Sequence, residues 1–151
     1  MIKQYIDGDI VKIFLEGHNI AHGCNCFHTM GAGVAGQLAK AYPPILAIDK
    51  SETFLGDTEK LGTFTQATGL KGQICFNLYT QFNPGPNLDY GALVNCMIEL
   101  NHWAEYHLIK PTVYIPRIGA GIAGGDWEKI KTIIDWFTPD VDIIVVDWDG
   151  K

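Results

Sequence analysis

Two short stretches of the chain are near copies of each other. They are Met30-Gly31-Ala32-Gly33-Val34-Ala35-Gly36 and Ile118-Gly119-Ala120-Gly121-Ile122-Ala123-Gly124. Each follows an apolar, strand-like run and precedes a stretch of helical periodicity. A glycine-rich turn between a strand and a helix lets backbone N–H groups approach an anion, most often a phosphate. Tight turns and close helix–sheet packing also select small residues. That bland explanation does not require the same pattern twice. Two such units predict a ligand with two phosphates clasped from both sides. Only Arg117 lies beside either loop, so any phosphate site here is made of backbone.

The string His22-Gly23-Cys24-Asn25-Cys26-Phe27-His28 alternates four possible metal ligands. Alternate strand residues stand roughly 6.6 Å apart, which separates the outer pair by about 20 Å in an extended chain. One tetrahedral ion would need the chain to fold back between pairs. The expectation is therefore no metal, with Cys24 and Cys26 as small buried residues. Asn25 falls at a strand's carboxyl end, five residues before the first glycine loop. It could bond a sugar hydroxyl, or stabilise its own turn through local backbone bonds. Asp9, in a Gly-Asp-Ile turn after the first strand, could cap a helix or accept from the amino group of an adenine. Trp148, near the end of the last strand, could be a packing residue or an aromatic face for a base. Asp126 and Glu128 read as helix capping and dipole compensation.

These residues need elements to hold them. Ile2–Ile6 reads as a strand, Val11–Leu15 as either more strand or a single helical turn, and residues 19–25 as a second strand. Val34, Leu38, Ala41 and Tyr42 recur at helical spacing up to Pro43-Pro44, and a helix resumes over 45–54. Residues 62–68 and 73–80 are strand-like. Leu93, Met97, Leu100 and Ala104 mark one face of a long helix. Residues 112–118 read as a strand buried on both sides. Trp127, Ile130, Ile133, Ile134 and Phe137 predict a helix, and residues 142–146 a closing strand. Strands alternating with helices predict an α/β domain over residues 1–151, its mixed or mainly parallel sheet covered by helices, with ligands at the strands' carboxyl ends.

Composition narrows the function. Eleven Lys and Arg stand against 17 Asp and Glu, a net charge of −6, which argues against nonspecific nucleic-acid binding. Hydrophobic residues make up 47% of the chain, but no run is long enough to cross a bilayer and the first residues lack a signal-peptide core. The expectation is a cytoplasmic monomer without membrane partners, its four cysteines reduced.

In order and spacing, Gly8-Asp9-Ile10, Asn25 and the two glycine loops resemble the macro domain family over nearly the whole chain. The stretch from Cys24 to Pro43 is most similar to the ADP-ribose-1''-phosphate phosphatase branch. That resemblance implies a three-layer α/β/α macro domain with a mixed central sheet, and an ADP-ribose cleft above the sheet. Asp9 and Ile10 would hold the adenine, Asn25 the distal ribose, and Gly31, Ala32, Gly33 and Val34 that ribose and one phosphate. Gly119, Ala120, Gly121, Ile122, Ala123 and Gly124 would hold the diphosphate, and Trp148 would stack on the base. His22 is similar to an acid–base group of the phosphatase branch, and no cofactor is implied; His28 has no counterpart in that branch and is an alternative proton carrier by residue type alone. A related branch carries a Lys on its third strand and an Asp in the second loop. Residues 62–68 have no Lys, and Ala123 stands where the Asp would fall. Non-catalytic ADP-ribose binding is thus the alternative to hydrolysis. A nicotinamide-cofactor oxidoreductase is disfavoured. Gly31–Gly36 matches Gly-x-Gly-x-x-Gly, but no acidic residue caps a following second strand, and Asp49 lies in helical sequence.

Overall fold

The computed structural model describes residues 1–150. In chain order the elements are β1 (Ile2–Gly8), α1 (Ile10–Leu15), β2 (Ile20–Cys24), α2 (Gly33–Ala41), α3 (Pro44–Glu52), a 3-10 turn (Thr58–Lys60), β3 (Phe64–Thr68), β4 (Ile74–Tyr79), α4 (Tyr90–Glu105), β5 (Thr112–Ile115), α5 (Trp127–Phe137) and β6 (Asp142–Trp148). The six strands form one sheet in the order β1-β6-β5-β2-β4-β3. All neighbours are parallel except β3 and β4, so the expected mixed sheet is what forms.

The two-residue period of the strands divides the core. Ala21, Phe76, Leu78, Val113, Ile143 and Val145 face α4 and α5, meeting Leu93, Met97, Leu100, Ile130 and Ile134. Ile20, Cys24, Cys75, Tyr79 and Val146 face the other way, toward α1, α2 and α3, meeting Ile10, Phe14, Leu38 and Ile45. This is an α/β/α sandwich.

Two segments differ from the sequence expectation. The stretch left open between strand and helix is helical, because the Asp9 carboxylate accepts the Val11 N–H at 2.9 Å and Ile10 and Phe14, four apart, are both buried. The strand expected over 112–118 stops at Ile115, before Pro116. It is not buried on both sides: Val113 and Ile115 are covered, while Tyr114 is half-buried against the edge of His18.

The chain leaves β2 toward α2 on one face and leaves β5 toward α5 on the other. These two strands are neighbours, paired only at Ile20 and Tyr114. Connections that diverge from adjacent parallel strands leave a crevice at their carboxyl ends. Both glycine loops rise from that point.

Candidate functional site

Two adjoining chambers fill the crevice. The larger, about 470 Å³, is lined by His22–Asn25 of β2 and the turn after it, by both glycine loops, and by Thr80, Gln81, Pro84 and Gly85 after β4. The smaller, about 410 Å³, is lined by Gly8, Asp9, Ile10, Gln37, Ala120, Val146, Asp147 and Trp148. Gly33, Val34, Pro116, Arg117 and Gly121 line both, so the chambers form one elongated cleft.

The near-identical loops do different structural jobs. The first runs straight into α2 at Gly33, and its N-cap, Ala32, offers no side-chain bond. The first amides of that helix therefore point free at the cleft, with the positive end of the helix dipole behind them. The second loop reaches no helix. It closes on itself through Ala120 N–H to Arg117 O, Gly124 N–H to Gly121 O and Gly125 N–H to Gly119 O, helped by left-handed Gly119 and Gly124 at φ 79° and 74°. Helix α5 starts later and is capped by the carboxylate of Asp126. Across the cleft the loops touch: a Cβ at Gly33 would stand 3.0 Å from the Ile122 Cδ1.

At the narrow end, parallel pairing of β1 with β6 sets Gly8 opposite Trp148. The indole of Trp148 is 67% exposed and stands at the cleft beside Asp9. One Asp9 oxygen caps α1, so the capping and cleft-lining roles coexist. Arg117 offers little net charge. Its guanidinium binds both oxygens of Asp147, at 2.7 and 3.1 Å, an interaction that holds the Asp147 carboxyl below its usual range. With Arg117 so held, backbone amides are the remaining donors of positive partial charge in the middle of the cleft.

At the wide end the sequence candidates separate. Asn25 lines the chamber, but its amide donates to Thr29 Oγ1 at 2.7 Å and Thr29 O at 3.1 Å, and its oxygen accepts from Phe27 N–H at 2.8 Å. It shapes its own turn. His22 forms part of the floor and is 1% exposed. Asn77 donates to Ile45 O and Thr65 Oγ1, which turns its oxygen toward His22 Nε2 at 2.6 Å. That nitrogen therefore carries the proton. Burial pushes the ring down to about 4, so His22 is neutral near pH 7 and not the near-neutral acid–base group its residue type suggests. Burial also pushes the Cys24 thiol well up.

His28, expected from its residue type to carry protons, does not line the cleft. Its left-handed backbone, φ 57°, turns the ring away from the cleft to Thr53 Oγ1 at 2.8 Å. Cys26 is also turned aside, its thiol on Gln81 O. Among the described residues no three His, Cys, Asp or Glu side chains gather in a metal-binding group. The edge strand β3 supplies no residue to either chamber. The lining from that side comes from Thr80, Gln81, Pro84 and Gly85, which sequence reading missed. Their only signal was position: β4 pairs with β2 through Cys24 and Tyr79, so the residues after both strands reach the same level.

The buried imidazole has a measurable consequence. The unfolded chain takes up a proton near the ordinary value of 6.5, the folded one only near 4. The His22 contribution to stability is full above about pH 7 and is lost as pH falls toward 4, an effect of order 3 kcal/mol. Urea unfolding at pH 7 and pH 4.5 is expected to show a smaller stability difference for His22→Gln than for the parent. Equal differences would refute the assignment.

A family model for the macro domain matches residues 21–134, three-quarters of the chain and both glycine loops. The chain belongs to the macro domain family. Among its relatives is the uncharacterized 17.5 kDa protein of the tk-vs intergenic region of Enterobacteria phage T4, 57% identical over 152 residues, covering 99% of this chain and 98% of the relative. The macrodomain of Mycobacterium tuberculosis DarG has a similar structure, with a TM-score of 0.73 at 23% identity over 97% of each chain. DarTG of Thermosipho africanus, solved in complex with ADP-ribose, has a TM-score of 0.76 at 12% identity, over 98% of this macro domain and 42% of that chain. At such identities the structural matches speak for the fold. No helix among the described residues is long and apolar enough to cross a membrane.

Proposed function

We propose that this macro domain is a cytoplasmic monomer that binds ADP-ribose and hydrolyses ADP-ribose-1''-phosphate or a related ADP-ribosyl linkage. The observation that carries the reading is the cleft itself. It has an indole and a carboxylate at one end, two glycine-rich loops facing each other in the middle, and a chamber lined by His22, Asn25, Thr80 and Gln81 at the other end. The adenine lies by Asp9, Ile10 and Trp148, the diphosphate between the loops, and the distal ribose over Asn25 and Gly31–Val34. The ADP-ribose complex of the Thermosipho africanus structure supports the choice of ligand.

Hydrolysis of the 1''-phosphate would proceed by attack of water on phosphorus. The P–O bond to C1'' breaks and the departing sugar oxygen takes a proton. The loop amides would stabilise the charge that develops on the phosphoryl oxygens. Asn25 would hold the sugar or the water, and His22 would contribute as a neutral hydrogen-bonding group.

A second reading, ADP-ribose binding without turnover, is favoured by a specific observation. Burial depresses His22, the Cys24 thiol is pushed up, and Asn25 is engaged in its turn. Calorimetry with ADP-ribose tests binding. Incubation with ADP-ribose-1''-phosphate, O-acetyl-ADP-ribose and ADP-ribosylated protein, read by mass spectrometry, separates the two readings. Unchanged turnover in Asn25→Ala would remove that residue from the chemistry. Trp148→Ala is expected to weaken ADP-ribose binding by about 1–3 kcal/mol, the usual worth of a stacked base; unaltered affinity would place the adenine elsewhere.

A further inference from the structure

Thr80 is the first residue after β4, and its backbone is held from two sides. Its N–H donates to Cys24 O at 3.2 Å and its carbonyl accepts from Asp89 N–H at 2.9 Å. The residue is 1% exposed and lines the larger chamber, yet its hydroxyl bonds to no described residue. The other polar side chains on that wall are engaged. Asn25 serves its turn, His22 Nε2 meets Asn77, the Gln81 amide donates to Asn83 O and Gly85 O, and Arg117 is held by Asp147. A hydroxyl that has no partner among the described residues and stands at the wall of a chamber is available to a ligand that enters it.

The neighbour across the sheet makes room for this hydroxyl. A Cβ at Gly23 would stand 2.9 Å from Thr80 Oγ1 and 3.4 Å from Ile118 Cγ2. Any side chain there would fill the space above the hydroxyl. Gly23 lies in a regular strand with an ordinary φ, so no turn explains the glycine. Clearance over Thr80 does.

We propose that Thr80 is a ligand-binding and specificity residue whose hydroxyl, at the chamber wall beside Gly23, hydrogen-bonds a hydroxyl of the distal sugar. The chemistry distinguishes it from the loops. Backbone amides only donate, which suits phosphate oxygens. A threonine hydroxyl donates and accepts, which suits a sugar hydroxyl. This assignment rests on the ADP-ribose reading and adds a side-chain group that helps tell ADP-ribose from ADP.

The test is calorimetry of the parent, Thr80→Val and Thr80→Ser with ADP-ribose and with ADP, which lacks the distal ribose. Thr80→Val is expected to bind ADP-ribose about tenfold more weakly, to bind ADP as the parent does, and to melt no lower than the parent, because no protein hydrogen bond is lost. Thr80→Ser is expected to recover most of the ADP-ribose affinity. Unchanged ADP-ribose affinity in Thr80→Val overturns the role of Thr80 and leaves the ADP-ribose reading standing. An equal loss for ADP, or a lower melting temperature, assigns the hydroxyl to the scaffold and also overturns it. If the parent binds neither compound, the ADP-ribose reading fails and this proposal with it.

Discussion

Gly121→Val is expected to weaken ADP-ribose binding at least about 100-fold while leaving the fold intact. Gly121 lines both chambers of the cleft. A Cβ built there meets nothing within 4 Å, and its φ is not left-handed, so valine enters open space without backbone strain. The space it enters is the place between the loops assigned to the diphosphate. Loss of one or two amide–phosphate bonds together with steric exclusion accounts for a penalty of about 3 kcal/mol or more. Gly36→Ala is the contrasting variant. Its Cβ would stand 2.9 Å from the Gly31 carbonyl carbon, so its penalty falls first on the packing of the loop against α2. Calorimetry and thermal melting of both variants separate a blocked site from a damaged scaffold. Full ADP-ribose affinity in Gly121→Val would move the diphosphate out of the loops.

The second large effect concerns stability. Lys60 and Asp49 are both buried, at 5% and 1% exposure. The Lys60 ammonium reaches Asp49 Oδ1 at 3.1 Å and Thr53 Oγ1 at 2.8 Å and lies 4.4 Å from the centre of the Tyr79 ring. The Tyr79 hydroxyl donates to the same Asp49 oxygen at 2.7 Å. Lys60→Met would strand a buried carboxylate, and breaking such a pair from one side costs about 3–5 kcal/mol. A melting temperature lower by roughly 10 °C is expected. The double variant Asp49→Leu/Lys60→Met removes both charges and is expected to recover most of the loss, because the pair must first repay its own desolvation. A Lys60→Met protein that melts with the parent would show the pair to be energetically idle.

Much of the architecture was legible because it rests on periodicity. The buried faces of α4 and α5, and the alternation of strand and helix, follow from local pattern. Both glycine loops could be found as composition, but their backbones could not. Nearly the same residues form a helix start in one place and a self-closed turn in the other, because Asp126 begins its helix later. Asn25, His22 and His28 illustrate the same limit at the site. Residue type and spacing nominate them, whereas a turn bond, a buried partner 55 residues away in sequence and one left-handed φ decide where each side chain is spent. Arg117 with Asp147, Lys60 with Asp49 and the open hydroxyl of Thr80 are tertiary facts with no local signature.

The pairing of β1 with β6 also governs when the protein becomes competent during synthesis. Asp9 and Trp148 share a chamber only because the earliest and latest strands lie side by side. Every wall of the cleft hangs on contacts between distant parts of the chain, the kind whose formation slows folding. On the proposed ADP-ribose reading, a nascent polypeptide lacking β6 has no complete cleft, so the nucleotide cannot guide the early steps of its folding. On that reading, bound ADP-ribose acts as a brace across the β1–β6 pairing. It resists the parting of β1 from β6 in proportion to its concentration over its dissociation constant.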